Sequence, residues 1–320
     1  MYPLKFKPIL KERLWGGTKL KDILAKPIES KITGESWEVS SVKGDVSIVS
    51  NGDLAGISLQ ELIDRDAEKI LGKSVVDRFG NDFPILIKFI DAKQDLSIQL
   101  HPNDQLAKER HDSFGKTEMW YIMDVDKDAN LIIGFNKNVT KEEYTGSLVS
   151  DNLPSLLNYE KVTKGDTFFI NTGKIHAIGA GVLLAEIQQT SDVTYRVFDF
   201  NRRDKNGNLR ELHTDLALDA IDYEKKDDFK VSYSSEMNTS NEMVDCPYFK
   251  TNFIHLTKDL HRAVANRDSF SIYMCVDGEA FVENEFGSVS LNKGETTLVG
   301  ANCNSIHLRS SGAKLLEVTI

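Results

Sequence analysis

Along this chain, apolar and polar positions alternate over short runs far more often than they recur at helical spacing. "ESWEVSSV", "VSIVSNG", "PILIKFIDA", "LSIQLH", "EMWYIMDV" and "NLIIGF" are β-rich and bounded by Gly, Pro, Asn or Asp. So are "DTFFIN", "VLLAEIQQ", "TYRVFDF", "YFKTNFIHL", "FSIYMCVDGEAFVE", "GSVSLN" and "TTLVG". Many short strands separated by turn residues predict a mainly β protein of antiparallel barrels or jelly rolls. Two segments depart from this period. "SLQELIDRDAEKILGKSVVDRFG" opens with Ser58 and Glu61, a capping box, and carries Leu59, Leu62 and Ile63 at helical spacing, which predicts helix over about 57–80. "TKEEYTGSLVSDNLPSLLNY" opens with Thr140 as a cap and reads as one or two short helices over about 140–158. The polar stretch "DYEKKDDFKVSYSSEMNTSNEM" reads as an exposed connection. A domain boundary near its end divides the chain into 1–240 and 241–320.

An internal echo sharpens this picture. "KGDTFFINTGKIHAIG" (164–179) and "KGETTLVGANCNSIHL" (293–308) share a Lys-Gly-acid-Thr opening, an apolar strand, a small polar turn and Ile-His. The His follows the Gly by 11 residues in the first copy and 13 in the second. The string resembles the second conserved motif of the cupin superfamily. Two copies imply two cupin-type β-barrel or jelly-roll domains with a small helical excursion.

Composition narrows the function classes. A net charge of −10 argues against a nucleic-acid binder, although a local cationic pocket can still take an anionic small molecule. No run of 18 apolar residues exists, so no transmembrane helix and no membrane partner are expected. The N-terminal "MYPLKFKPILKERLWGG" lacks the apolar core of a signal peptide. Cys246, Cys275 and Cys303 are odd in number, far apart and without a C-x-x-C pair. They read as free thiols in a reducing compartment, and the expected location is cytoplasmic.

Strand alternation then collects chemistry. Ser97, Gln99 and His101 occupy every second position, with Ile98 and Leu100 between them. Lys116 and Glu118 share a face in the same way, and the first cupin-like turn supplies His176. Gln99, His101, Glu118 and His176 form a candidate N₂O₂ set of the kind that holds a borderline divalent ion such as zinc. With one carboxylate ligand the ion would keep a formal positive charge, useful for polarising a carbonyl or alkoxide. The competing reading is that His101, preceding Pro102, only hydrogen-bonds a loop. Glu186 and Arg196 facing one interior would be a costly buried pair, or else a structural salt bridge. Lys88 interrupts an apolar strand, as an exposed edge residue does. Trp15 in "LWGG" is a lid or a buried anchor.

These residues converge on one resemblance. "LWGG", "GESWEVSS", "KFIDAKQDLSIQLHPND", "GKTEMWYIM" and "GKIHAIGAGVLLAEIQQTSDVTYRVFDFNR" together resemble type I mannose-6-phosphate isomerases, most closely the shorter bacterial form, over residues 8–220. The resemblance implies one Zn²⁺ per chain on Gln99, His101, Glu118 and His176. It implies an active-site arginine at Arg196 and pocket positions at Trp15, Glu35, Lys88, Ser97, Lys116, Glu186 and Asp192. The implied reaction interconverts mannose 6-phosphate and fructose 6-phosphate through a cis-enediol. Glu186 or Lys116 would be the base, and Lys88, Arg196 or another cation would meet the phosphate. Ile178 stands where many relatives carry an aromatic residue. The second cupin keeps His307 but shows neither Q-x-H nor a lone Glu in "FSIYMCVDGEAFVENEF", so no metal is expected there. Two other readings share these features: a different metal-dependent cupin enzyme acting on sugar phosphates, and a non-catalytic sugar-phosphate-binding regulator.

Overall fold

The computed structural model describes residues 1–204 and 206–320. Two antiparallel sheets face each other in the first barrel. The larger runs Ile9–Gly17, Thr33–Val39, Ile85–Ala92, Val182–Gln189, Glu118–Val125, Thr167–Ile170 and Lys230–Val231. The smaller runs Tyr195–Phe198, Ile98–Leu100, His176–Ile178, Asn130–Phe135 and Leu157–Lys161. An eight-stranded sheet spanning Ser240–Asp245 to Ala313–Thr319 curls into the second barrel. The protein is mainly β and built on two cupin barrels, as the strand pattern predicts.

The central strands explain their own composition. Every residue of Ile85–Ala92 and of Val182–Gln189 is buried. A strand covered on both faces loses the polar side of its alternation. One face carries Ile87, Phe89, Met119, Tyr121 and Ile187 into a single apolar cluster with Phe253, Ile272, Met274 and Leu316 of the second barrel. The other face puts Ile90, Trp120, Ile122 and Leu184 against Leu131, Ile133 and Ile178 of the smaller sheet. The back of the smaller sheet is closed by Tyr144 and Leu153 from the second helical segment.

Both predicted helical segments form. The first is three short helices, Leu59–Arg65, Ala67–Leu71 and Lys73–Phe79. Its capping box is reciprocal: Glu61 N–H donates to Ser58 Oγ at 3.2 Å, and Ser58 N–H donates to Glu61 Oε2 at 2.9 Å. Gly72 breaks it with φ +94°, and a Cβ there would lie 2.3 Å from the Asp268 carbonyl oxygen. The second is Lys141–Val149 followed by the 3₁₀ turn Leu153–Leu156. The echoed turns also match in backbone, with Gly165 at φ +93° and Gly294 at φ +86°, a region that favours glycine.

One expectation changes, and one helix appears that the sequence pattern does not announce. The polar connection is not bare: Lys230–Val231 pairs with Thr167 and Phe168 and closes the larger sheet. "HPND" leads into a helix, Asp104–His111, capped by Asn103 Oδ1 accepting from Leu106 N–H at 2.9 Å. That helix buries only Ala107, so it carries almost no apolar period to read. The three cysteines are free, and no helix is long and apolar enough to cross a membrane.

Candidate functional site

Strand register assembles the site in two rows. Across the larger sheet, Trp37 opposes Lys88, Lys88 opposes Glu186, and Glu186 opposes Trp120. Across the smaller sheet, Arg196 opposes Gln99, and Gln99 opposes His176. Directly opposed residues place their side chains on the same face. Each row therefore delivers its polar groups into the space between the sheets.

His101, Glu118 and His176 converge at the bottom of that space. All three are 1 % exposed, and their ligating atoms lie within 4.8 Å of one another. Glu118 Oε1 stands 3.2 Å from His101 Nε2, and Oε2 stands 3.9 Å from His176 Nε2. Each imidazole already commits its other nitrogen: His101 Nδ1 donates to the Val193 carbonyl and His176 Nδ1 to the Lys174 carbonyl, both at 2.9 Å. This tautomer leaves both Nε2 lone pairs aimed at a carboxylate. Burial, then Lys116, pushes His101 down to about 3, and burial also lowers His176. Glu118 lies well below the usual carboxylate range: burial opposes this, and Lys116 and His101 overcome it. His101 Nε2 and both Glu118 oxygens make no hydrogen bond among the described residues. Buried acceptors facing acceptors are costly unless a cation lies between them. Two Nε2 lone pairs, each backed by an Nδ1 hydrogen bond, beside a carboxylate are a donor set that could hold a divalent metal. It is the one such cluster among the described residues.

Above the cluster opens a cavity of about 460 Å³. Trp15, Glu35, Lys88, Ser97, Gln99, Lys116, His176, Glu186, Asp192 and Arg196 all line it. His101 and Glu118 are not among the residues that line it. Five cationic side chains line the cavity, Arg13, Lys88, Lys116, Arg196 and Arg210, against the carboxylates of Glu35, Glu186 and Asp192. The pocket is thus cationic in a chain of net charge −10.

Several sequence expectations are corrected here. Lys88 is no exposed edge residue: it is 5 % exposed in the middle of the sheet, where Nζ donates to Glu186 Oε1 at 2.9 Å and to Gln188 Oε1 at 2.6 Å. The partner of Glu186 is therefore Lys88, not Arg196. Arg196 instead donates Nη1 to the Glu211 carbonyl at 2.8 Å and Nε to Ser97 Oγ at 3.3 Å. Trp120 Nε1 donates to Glu186 Oε2 at 2.8 Å. Burial and the Glu118 charge hold Glu186 above the usual carboxylate value despite Lys88. The reading of His101 as a residue that only bonds a loop is half right: Nδ1 does so, and that bond is what frees Nε2.

The sequence reading missed Arg13, Trp37, Trp120, Thr194 and Arg210 in the wall. Alternation could have found the first three, because each lies two residues from a named position: Trp15, Glu35 and Glu118. Thr194, two residues before Arg196, falls under the same rule. Arg210 has no such signal. It reaches the cavity from the loop after Tyr195–Phe198, held by Asp199 Oδ2 accepting from its Nε at 2.7 Å. In the second barrel, His307 stacks on His261 with ring centroids 3.6 Å apart and faces Asp259 Oδ2 at 3.4 Å.

Cupin barrels with a buried His/Glu/His cluster beneath an open polar cavity define a cupin-class protein with a site that could hold a metal ion. Comparison with known proteins makes the assignment particular. Residues 3–135 match the catalytic domain of type I phosphomannose isomerase, and residues 239–318 match the mannose-6-phosphate isomerase cupin domain. Mannose-6-phosphate isomerase ManA of Bacillus subtilis is 38% identical over 280 residues, covering 87% of this chain and 86% of that one. The crystal structure of the mannose 6-phosphate isomerase from Bacillus subtilis superposes with a TM-score of 0.90 at 32% identity over 100% of both chains. A putative mannosephosphate isomerase from Archaeoglobus fulgidus, 22% identical, shares the fold with a TM-score of 0.79 over 99% of this chain and 97% of that one. The chain belongs to the type I phosphomannose isomerase family.

Proposed function

We propose that the protein is a zinc-dependent aldose–ketose isomerase that interconverts mannose 6-phosphate and fructose 6-phosphate through a cis-enediol. The observation that carries this reading is the convergence of His101 Nε2 and the Glu118 carboxylate, neither with a hydrogen bond among the described residues and with Lys116 as the carboxylate's one close cation there, beneath a cationic cavity. Gln99, His101, Glu118 and His176 hold the ion. The Gln99 amide nitrogen is 3.5 Å from His176 Nε2, and a half-turn of the amide exchanges nitrogen for oxygen with no change of backbone. When bound, Zn²⁺ supplies a Lewis acid for the sugar oxygens.

The remaining steps belong to the protein. Isomerisation moves one proton between C2 and C1 of the open-chain sugar, so a base must stand on one face of the carbon pair. Glu186 fills that role. Its raised pKa brings a carboxylate toward neutrality, where it both takes and returns a proton, and Lys88 and Trp120 fix its orientation. Lys116, with Nζ 3.1 Å from Glu118 Oε1, places a positive charge where negative charge develops on the substrate oxygens. Lys88 is buried between Glu186 and Gln188, so the phosphate falls to Arg196 at the cavity wall, with the Asp199-held Arg210 beside it and Ser97 as a hydroxyl donor. Burial, then repulsion from Arg210, lowers the Arg196 pKa, so the pair gains from added negative charge. A dianionic phosphate supplies that charge. Trp15, Glu35 and Asp192 shape the sugar site.

The test is a coupled turnover assay with mannose 6-phosphate against glucose 6-phosphate, with metal analysis on the same sample. We expect one zinc per chain, turnover of mannose 6-phosphate only, and loss of activity on chelation restored by zinc. Full turnover by metal-free protein would refute the metal role. Activity only with Fe²⁺ and oxygen would assign the chain to another cupin chemistry.

A further inference from the structure

The two sheets that carry the metal cluster are not hydrogen-bonded to each other at the site. His101 follows a strand of the smaller sheet, and Glu118 begins a strand of the larger one. No ladder sets their separation. A partly buried polar tie lies next to them. Asp104, three residues after His101, accepts on Oδ1 from Gly115 N–H at 2.8 Å and from Gln189 Nε2 at 2.9 Å. Gln189 Oε1 accepts from Thr117 N–H at 2.8 Å, and Gln189 N–H donates to the Thr117 carbonyl at 3.1 Å. Gly115 and Thr117 flank Lys116, and Glu118 follows. The approach is close enough that a Cβ on Gly115 would lie 2.7 Å from the Asp104 nitrogen.

The remaining oxygen of Asp104 leaves the first barrel. Oδ2 accepts from the Tyr248 hydroxyl at 2.8 Å, and Tyr248 lies between the first two strands of the second barrel. Burial, then Asp104, pushes the tyrosine up to about 12, so it stays a donor. A carboxylate with both oxygens engaged is held in one orientation, and here that orientation spans three segments of chain.

We propose that Tyr248 and Asp104 are positioning residues through which the second barrel holds Lys116 and Glu118 at working distance from His101. The second barrel then contributes to the metal centre without touching it. The inference rests on the metal reading above.

The test uses the full chain and reads zinc affinity by competition with a fluorescent chelator, alongside kcat and KM. Tyr248→Phe removes one hydroxyl and keeps the ring. We expect zinc binding about threefold weaker, less than the roughly tenfold cost of losing a hydrogen bond made directly to a ligand, because Tyr248 acts through Asp104. We also expect a lower kcat at unchanged KM and an unfolding temperature within about 4 °C of wild type. Arg78→Ala is the control: it breaks a neighbouring contact, Arg78 Nη2 to the Pro247 carbonyl, that does not reach Asp104. It should leave zinc affinity unchanged. Wild-type affinity in Tyr248→Phe, or equal weakening in Arg78→Ala, overturns the proposal alone. A wild-type chain that binds no zinc overturns the metal reading and this one with it.

Discussion

Replacing Lys88 by Met tests how the buried row of the larger sheet is held. Lys88 and Glu186 are 5 % and 3 % exposed, with 2.9 Å between charged atoms. At that distance their attraction is about 6 kcal/mol with an effective dielectric near 20. Methionine keeps the apolar stem and removes the charge, leaving Glu186 with only the Trp120 N–H. The carboxylate then has two choices. Remaining ionised forfeits the whole attraction. Taking a proton at pH 7 costs at most about 4 kcal/mol from an ordinary glutamate value, at about 1.4 kcal/mol per pH unit. Protonation is the cheaper route, so the folded variant binds a proton that its unfolded chain has released. Glu35 does not compete for it, because Arg13 Nη2 at 2.9 Å and Trp37 Nε1 at 2.8 Å still hold its carboxylate. Its pKa sits below the usual range because Lys88 and Arg13 outweigh burial, and Arg13 remains. The sign follows from linkage: a folded-state pKa raised above the unfolded one makes stability fall as pH rises between the two. The freed Gln188 oxygen adds about 1 kcal/mol at every pH. Because Glu186 is already raised in wild type, the loss relative to wild type should be larger at pH 7 than at pH 5 by at most about 3 kcal/mol. Urea unfolding of both proteins at the two pH values measures it. An equal loss at both would mean that Glu186 does not depend on Lys88 for its charge, and the reasoning would fail.

Three further outcomes are expected. Glu118→Gln should abolish the thermal shift on adding zinc, which in wild type corresponds to about 4 kcal/mol at a free concentration a thousand times Kd; an equal shift in differential scanning fluorimetry rules out Glu118 as a ligand. Arg196→Lys keeps the charge but loses the fork, so kcat/KM should fall roughly 10–100-fold with little change in unfolding temperature, and normal turnover would make Arg196 a structural residue only. Glu317→Gln in the second barrel strips the counter-charge from Arg262 and Arg267, the latter at 2.9 Å, and should cost about 3 kcal/mol at neutral pH while kcat per folded molecule stays at the wild-type value. Because the two arginines overcome burial and depress the Glu317 pKa, its contribution is present above the unfolded value and lost as pH falls through the folded one. Denaturation of this variant should therefore converge with wild type in acid.

What the chain determined locally is visible in particular elements. The Ser58 and Thr140 capping boxes are written within four residues and form as written. The paired Lys-Gly-acid turns announce two barrels, since each needs only its own glycine at positive φ. Alternation in "LSIQLH" and "GKTEM" already put Gln99 with His101 and Lys116 with Glu118, because the period of a strand is a property of the backbone alone. Alternation states which residues of one strand share a face. It does not state which strand lies alongside or which sheet lies opposite. For that reason Glu186 looked like the partner of Arg196, ten residues away along the chain, when sheet order sets Lys88 beside it from 98 residues away. Arg210 and Tyr248 reach their places from outside both rows, one from the loop after a strand and one from the other barrel. His101, Glu118 and His176 were legible as residue types suited to a metal, but their convergence within 4.8 Å required two sheets to fold over one another. That closure is paid for by apolar contacts spread over the whole barrel, and no short stretch of sequence encodes it.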